Sequence, residues 1–156
     1  MPQARRCFIV TAGQEGWVQR SCKRFMPSVL PLLERVTIIS ARARYEDKFP
    51  RRPVEWKIAT FSDLLSRRRM SLIDNSLVGL DRRLQVIAIG DSPHDRSAIQ
   101  YVGKRTSHLQ IKSIKFLENP TMPQLQKQLK LMTGYISQLA NHQEPLDLVL
   151  SPNMLR

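Results

Sequence analysis

The sequence predicts an α/β protein in which a parallel sheet carries helices on both faces. Short apolar, β-branched runs at residues 7–11, 36–40 and 84–89 are typical of buried parallel strands. Amphipathic segments of helical length separate these runs, and parallel strands need such crossovers. A chain of 156 residues with 42% hydrophobic and 24% charged residues can bury the core of one globular domain.

The first half of the chain is expected to contain two strands and two helices. Residues 7–11 form the first strand, and residues 36–40 form the second. Between them a core-facing helix is indicated by an apolar stripe at helical spacing: Val18, Cys22, Phe25 and Val29. Pro27 interrupts this stripe, so we expect a break or a second short helix there. Both cysteines, Cys7 and Cys22, are interpreted as small core residues.

A third strand and two further helices follow. After the second strand a basic loop leads to a helix over residues 55–69, and residues 70–83 show no clean period, which indicates a connecting loop. The third strand, residues 84–89, ends in Gly90 and Asp91. A helix then begins near Pro93 and runs to about Val102.

The last part of the chain adds a strand, a long helix and a tail. Residues 109–116 form the fourth strand, and their lysines indicate an edge position. The last helix opens near Thr121, and its core-facing stripe consists of Leu125, Leu129, Met132, Ile136 and Leu139. We predict one domain over residues 1–142 and a C-terminal tail over residues 143–156 that docks or frays.

The charge of the chain is its unusual bulk property. The formal net charge is +12, and the pI is about 10.5. Such a surface attracts nucleic acid through non-specific, salt-sensitive charge, although it could equally serve to keep the protein in solution. No aromatic residues interleave with the basic groups as a stacking platform requires. We expect no membrane segment and no signal peptide, and therefore an intracellular, cytoplasmic protein.

The sharpest local motif is Gly90-Asp91-Ser92-Pro93-His94-Asp95. A strand delivers Asp91 to the end of the sheet, and Asp95 lies in the first turn of the next helix. Two carboxylates so placed can bind one Mg²⁺, which prefers one or two carboxylates together with a phosphate and water. The alternative is that Asp91 or Ser92 caps the helix and that Asp95 interacts with the helix dipole.

Two further residues are candidates for phosphate binding. Thr11 ends the first strand, where its hydroxyl could donate to a phosphate oxygen. Lys57 lies at the start of a helix, where its ammonium is repelled by the helix dipole unless an anion lies nearby. The alternative to a phosphate-binding role is that Lys57 is an ordinary surface lysine. Since parallel strands carry ligands at their carboxyl ends, we expect Thr11 and Asp91 to share one crevice. Zinc-ligand spacing and a Gly-x-x-x-x-Gly-Lys loop are absent from the sequence.

Taken in order, Ile9-Val10-Thr11, Lys57 and Gly90–Asp95 resemble the second, third and fourth motifs of the haloacid dehalogenase (HAD) superfamily. The chain is similar over nearly its whole length to HAD-like proteins of protists and algae, through stretches that include Glu15-Gly16-Trp17-Val18, Phe25-Met26-Pro27, Ile39-Ser40-Ala41-Arg42, Lys112–Phe116 and Leu146-Asp147-Leu148. The resemblance implies a Rossmann-like fold and a Mg²⁺-dependent phosphatase crevice. In it Thr11 and Lys57 would bind a phosphoryl group, and Asp91 and Asp95 the metal.

One family feature has no counterpart in this chain. Family members place an aspartate nucleophile on an Asp-x-Asp strand before the second motif, whereas residues 1–6 contain no aspartate. The resemblance implies that this missing strand is the central one, between residues 84–89 and 7–11. Three outcomes stay open: the two strands pair directly, a partner chain supplies the strand, or the chain is truncated relative to its relatives.

Two functions are therefore expected. The first is a HAD-like phosphatase-type domain that is inactive as this chain stands. The second is a non-catalytic basic subunit that docks on RNA or on an acidic partner.

Overall fold

The computed structural model describes residues 6–66 and 83–156. It is a mixed α/β structure in which parallel strands form two small sheets flanked by helices. The chain divides into two compact units, Met1–Thr60 and Phe61–Arg156. The predicted domain over residues 1–142 spans both units and stays a prediction. The predicted loop at residues 70–83 lies outside the described residues except for Arg83. The helix predicted over residues 55–69 has other bounds in the structure, because it runs from Pro53 to Leu64.

The N-terminal unit contains a two-stranded parallel sheet. Its elements are, in chain order, β1 (Phe8–Thr11), α1 (Trp17–Phe25), a 3₁₀ turn (Pro27–Val29), α2 (Leu30–Leu33), β2 (Thr37–Ser40), α3 (Ala41–Tyr45) and α4 (Pro53–Leu64), which crosses into the second unit. β1 pairs with β2 in a register that sets Thr11 beside Ser40. The carboxyl ends of both strands therefore meet at one edge.

β1 is less buried than its sequence predicts. All four residues of the strand, Phe8–Thr11, are only half-buried, and Cys7 just before it is exposed. The core position expected for Cys7 is wrong, whereas the one expected for Cys22 is confirmed. β1 has a backbone partner along one edge only within the described residues, which accounts for the exposure of an apolar strand.

The predicted break at Pro27 is confirmed. α1 ends at Phe25, and Met26 leaves the helical region with φ −143° and ψ 58° before the 3₁₀ turn begins. The predicted apolar stripe is wrong beyond Cys22, because Phe25 is 70% exposed and Val29 is exposed as well. Val29 lies beyond the interruption and so no longer shares a face with α1, whereas Phe25 is the last residue of that helix.

The basic segment after β2 was expected to be a loop, but it contains the short helix α3. The Ser40 hydroxyl accepts the backbone N–H of Ala43 at 3.0 Å, which is the N-cap geometry that starts such a helix. Farther on, the buried indole of Trp56 in α4 donates to the carbonyl oxygen of Phe49 at 2.6 Å. These two hydrogen bonds fix the conformation of the segment between β2 and α4, although the sequence of that segment has no apolar periodicity.

The C-terminal unit contains a three-stranded parallel sheet. Its elements after α4 are β3 (Leu84–Gly90), α5 (Pro93–Arg105), β4 (Leu109–Lys115), α6 (Met122–Asn141), β5 (Leu146–Val149) and a 3₁₀ turn (Pro152–Leu155). The strand order is β3-β4-β5, with Gly90 beside Lys115 and Lys115 beside Val149. The predicted third and fourth strands and the helix at Pro93 are confirmed.

The edge position predicted for the fourth strand is wrong. β4 is the central strand, because the segment assigned to the tail forms β5 and pairs along its second edge. Lys112, one of the lysines that indicated an edge, is 0% exposed. Its Nζ donates to the carbonyl oxygen of Leu139 at 2.5 Å, in the last turn of α6, where helix carbonyls lack partners within the helix.

The face of α6 that packs on the sheet differs from the predicted apolar stripe. Thr121 and Gln124 form a capping box that confirms the predicted start. Met132 and Leu139 are buried in a core with residues of the sheet and the C-terminal segment, Ile114, Phe116 and Leu150. Leu129 is exposed, against prediction, because buried Gln128 faces inward and accepts the N–H of Leu117 at 2.7 Å.

In residues 6–66 and 83–156, helices with the length and apolar character to cross a membrane are absent.

The burial of Lys112 generates a prediction about pH. Desolvation lowers the pKa of the Lys112 ammonium below its ordinary 10.5. Between the lowered pKa and 10.5 the unfolded chain binds more protons than the folded chain, so the free energy of unfolding rises with pH. Lys112→Met removes the charge, and we expect it to raise stability at pH 7 by on the order of 1–4 kcal/mol.

The measurement is urea unfolding of Lys112→Met and of the native chain at several pH values. The advantage of the variant should shrink as the pH approaches 10.5. Lys130→Met, at an exposed position of α6, is the control and should show no such trend. If the free energy of unfolding changed with pH in the same way for the native chain and for Lys112→Met across the alkaline range, the prediction would be contradicted.

Candidate functional site

The loop after β3 carries the first pair of candidate residues. β3 ends at Gly90, Asp91 is exposed in the turn, and α5 begins at Pro93. The Ser92 side chain accepts the backbone N–H of His94 at 3.0 Å and is the N-cap of α5. Of the two residues expected as alternative caps, Ser92 therefore fills that role, and the Asp91 carboxylate remains at the mouth of the loop.

Asp95 folds back over the end of β3. A Cβ placed on Gly90 would lie 2.7 Å from both the Cβ and the Oδ2 of Asp95. Such distances are shorter than real Cβ contacts, so glycine is required here for the Asp95 side chain to lie against the backbone. Asp91 and Asp95 are thus both held at the carboxyl end of β3, as the motif predicts.

Lys115 lies at the same edge of the sheet. It ends β4 opposite Gly90, and its mostly buried side chain places Nζ 3.0 Å from the Glu118 carboxylate. Sequence reasoning did not select Lys115, because only the strand register shows that it ends level with the motif. The edge therefore combines carboxylates with a cation, a pairing that is suited to an anionic ligand bound with a metal.

The donor set limits which metals could bind. In the described part of the chain, groups of three or more His, Cys, Asp or Glu residues that could hold a metal are absent. Asp91 and Asp95 supply only oxygen donors, which suit a hard cation such as Mg²⁺ and not zinc. A cation there would complete its shell with water and ligand oxygens, as Mg²⁺ does when it bridges to phosphates.

In the N-terminal unit, Thr11 belongs to a small polar cluster at the carboxyl ends of β1 and β2. Its Oγ1 accepts the N–H of Gly13 at 3.0 Å. Ser40, at the matching position of β2, donates its hydroxyl to the Gly13 carbonyl at 2.7 Å. The cluster fixes the turn after β1 and leaves the Thr11 hydroxyl proton available to donate. Ser40 was missed, although it ends its strand just as Thr11 does.

Lys57 is buried. Its side chain is 8% exposed and lies in α4 among Trp56 and Thr60, which are also buried. The surface alternative for this lysine is therefore wrong. A lysine so enclosed is found in proteins only with compensating partners, which separates it from the many exposed cations of the chain.

The structure thus brings Asp95 onto Gly90 with Asp91 adjacent, and Thr11 beside Ser40. Thr11 and Lys57 belong to the N-terminal unit, and Asp91 and Asp95 belong to the C-terminal unit. No known protein family, curated protein or solved structure matches this chain. The functional argument therefore depends on the residues themselves.

Gly90→Ala tests the contact that positions Asp95. The new methyl group would overlap the Asp95 side chain, and we expect a loss of about 1–3 kcal/mol of stability as strand and helix move apart. Gly134→Ala is the matched control, because Gly134 is an exposed helical residue with open space around its Cβ position. That change should stabilise the protein by about 0.5–1 kcal/mol. The measurement is denaturant unfolding, and equal effects of the two substitutions would refute the close contact.

Proposed function

We propose that this chain is a HAD-like phosphatase-type domain with a Rossmann-like fold, and that Asp91 and Asp95 are its Mg²⁺ ligands. The observation that carries the proposal is the seating of Asp95 on Gly90, which holds two carboxylates at the end of a parallel strand. Ligands of parallel α/β sheets bind at this end. Lys115 in the neighbouring strand, which is paired with Glu118, lies at the same edge.

Thr11 and Lys57 are proposed as residues that bind a phosphorylated ligand. The Thr11 hydroxyl, already oriented by the Gly13 N–H, can donate its proton to a phosphate oxygen. The ammonium of Lys57 can neutralise phosphate charge, and its burial strengthens that interaction by excluding water. Mg²⁺, when bound at Asp91 and Asp95, would polarise the oxygens of an anionic ligand in the C-terminal unit.

We further propose that the chain by itself does not hydrolyse phosphate esters. The covalent route needs a carboxylate that attacks phosphorus and a second one that protonates the leaving oxygen. The resemblance leaves both without a counterpart here. β1 and β3 each have one strand edge without a backbone partner in the described residues, and a strand from a partner chain could pair there.

Binding of Mg²⁺ with tungstate, a phosphate mimic, tests the site without requiring turnover. At ligand concentrations about ten times Kd, we expect a stabilisation of about 1.4 kcal/mol, measured as a rise in thermal midpoint. Asp91→Asn should abolish the rise, because one metal ligand loses its charge. The native chain should show no turnover of p-nitrophenyl phosphate with Mg²⁺.

Asp47→Asn is the matched control, since Asp47 is an exposed carboxylate of the other unit and should leave the rise intact. Absence of any shift with millimolar Mg²⁺ and tungstate, in a protein that melts cooperatively, would refute the proposed site.

A second candidate function is a non-catalytic subunit that docks on RNA. It is favoured by exposed aromatic residues that pair with arginines: Arg24 lies 5.4 Å from the Phe25 ring centroid, and Arg105 lies 3.9 Å from that of Tyr101. Such pairs provide both phosphate contact and a surface for base stacking. Docking on an acidic protein is the other outcome that the same surface permits.

Binding of a fluorescent single-stranded RNA separates these possibilities. We expect affinity to fall by about tenfold or more between 50 and 200 mM salt, because each contacted phosphate adds about 0.7 to the slope. Phe25→Ala should weaken binding further through lost stacking. Met122→Ala, another exposed apolar residue, should have no effect. Binding that is insensitive to salt and to Phe25→Ala would exclude the RNA function.

A further inference from the structure

A groove of about 580 Å³ lies in the C-terminal unit, away from the candidate metal loop. Its floor is formed by alternate residues of β4, Leu109, Ile111 and Ser113, which share one face of the strand. α5 forms one wall, and the start of β5 with Leu146 forms the other. The volume is in the range of roughly 300–1,000 Å³ that small-molecule sites occupy.

The side of the groove formed by α5 is tightly packed. A Cβ on Gly103 of α5 would lie 2.5 Å from the Ile111 side chain, so the helix is in tight contact with β4 at this point. Toward β5 the groove is bounded by Pro145, Leu146 and Asp147. The apolar residues of the floor favour a ligand with an apolar body.

Ser113 gives the floor its chemistry. The residue is 3% exposed and belongs to the lining of the groove. A serine hydroxyl both donates and accepts hydrogen bonds, so one that lines an open groove can bind the polar group of a ligand.

The charge around the groove is positive. Arg83 and Lys104, both exposed, lie along its lining. The acidic residue of the lining, Asp147, is neutralised by Arg96, whose Nε and Nη2 donate to its two carboxylate oxygens at 2.9 and 2.5 Å. This pairing, first through its hydrogen bonds, holds the pKa of Asp147 below its ordinary value. Two cations therefore remain to attract an anionic ligand.

We propose that the groove binds a small organic anion with an apolar body, such as a medium-chain carboxylate. The alkyl chain lies on Leu109 and Ile111, the carboxylate accepts a hydrogen bond from Ser113, and Arg83 and Lys104 attract its charge. This site goes beyond the proposed phosphatase-type function and does not depend on it, because none of Thr11, Lys57, Asp91 and Asp95 lines the groove.

Isothermal titration calorimetry with octanoate tests the proposal, with octyltrimethylammonium as the charge-reversed probe. Octanoate should bind and the cation should not, because the two have the same chain and opposite charge. The affinity for octanoate should fall as salt rises, and Mg²⁺ should not change it.

Ser113→Ala removes the hydroxyl without adding bulk to the groove, and it should weaken octanoate binding about tenfold or more. Lys104→Gln and Arg83→Gln, both exposed, should each weaken it about two- to fivefold and keep the proposal testable if Ser113→Ala misfolds. Lys130→Gln, on an exposed face of α6, is the matched control and should not change binding. No binding of octanoate, equal binding of the cation, or Lys104→Gln and Arg83→Gln indistinguishable from Lys130→Gln would overturn the proposal.

Discussion

The C-terminal unit depends on the parallel pairing of β4 along both of its edges. Because parallel strands end together, this pairing sets Gly90, Lys115 and Val149 in one row at the carboxyl edge. The acidic loop after β3 and the cation of β4 meet there for that reason. On one face of the same strand, Leu109, Ile111 and Ser113 form the floor of the groove beside α5. Two separate chemical surfaces thus follow from one strand with two neighbours.

The secondary structure was largely predictable where the chain carries strong local signals. Apolar runs identified β1 to β4, and prolines and caps identified the starts of α5 and α6. Prediction failed where tertiary contacts decide. β5 has only a short apolar run, residues 146–150, which does not distinguish a strand from a tail that docks on the core, and it forms a strand where β4 offers an edge. The lysines of β4 indicated an edge because side-chain charge is normally solvated, whereas Lys112 is compensated by a helix carbonyl that sequence cannot identify.

The candidate site was predictable in its motif but not in its surroundings. Gly90 and Asp95 are five residues apart along the chain, so a strand–turn–helix pattern is enough to bring them together. Lys115 and Ser40 depend on register between strands that are distant in sequence, and local reasoning has no access to it. Ser113 is similar, because its place in the lining of the groove is defined only once the neighbouring helix and strand are placed around it.

The late position of β5 in the chain has a consequence for synthesis. At roughly 5–20 residues per second, a ribosome needs about two to seven seconds to proceed from Lys112 to Leu146. During that interval the edge of β4 that later pairs with β5 has no partner strand, and another nascent polypeptide could pair with it. Lys112 and Lys115 keep this strand positively charged until β5 has been synthesised, as gatekeeper residues do. Lys112 thus lowers the stability of the folded protein but protects the incompletely synthesised chain from association.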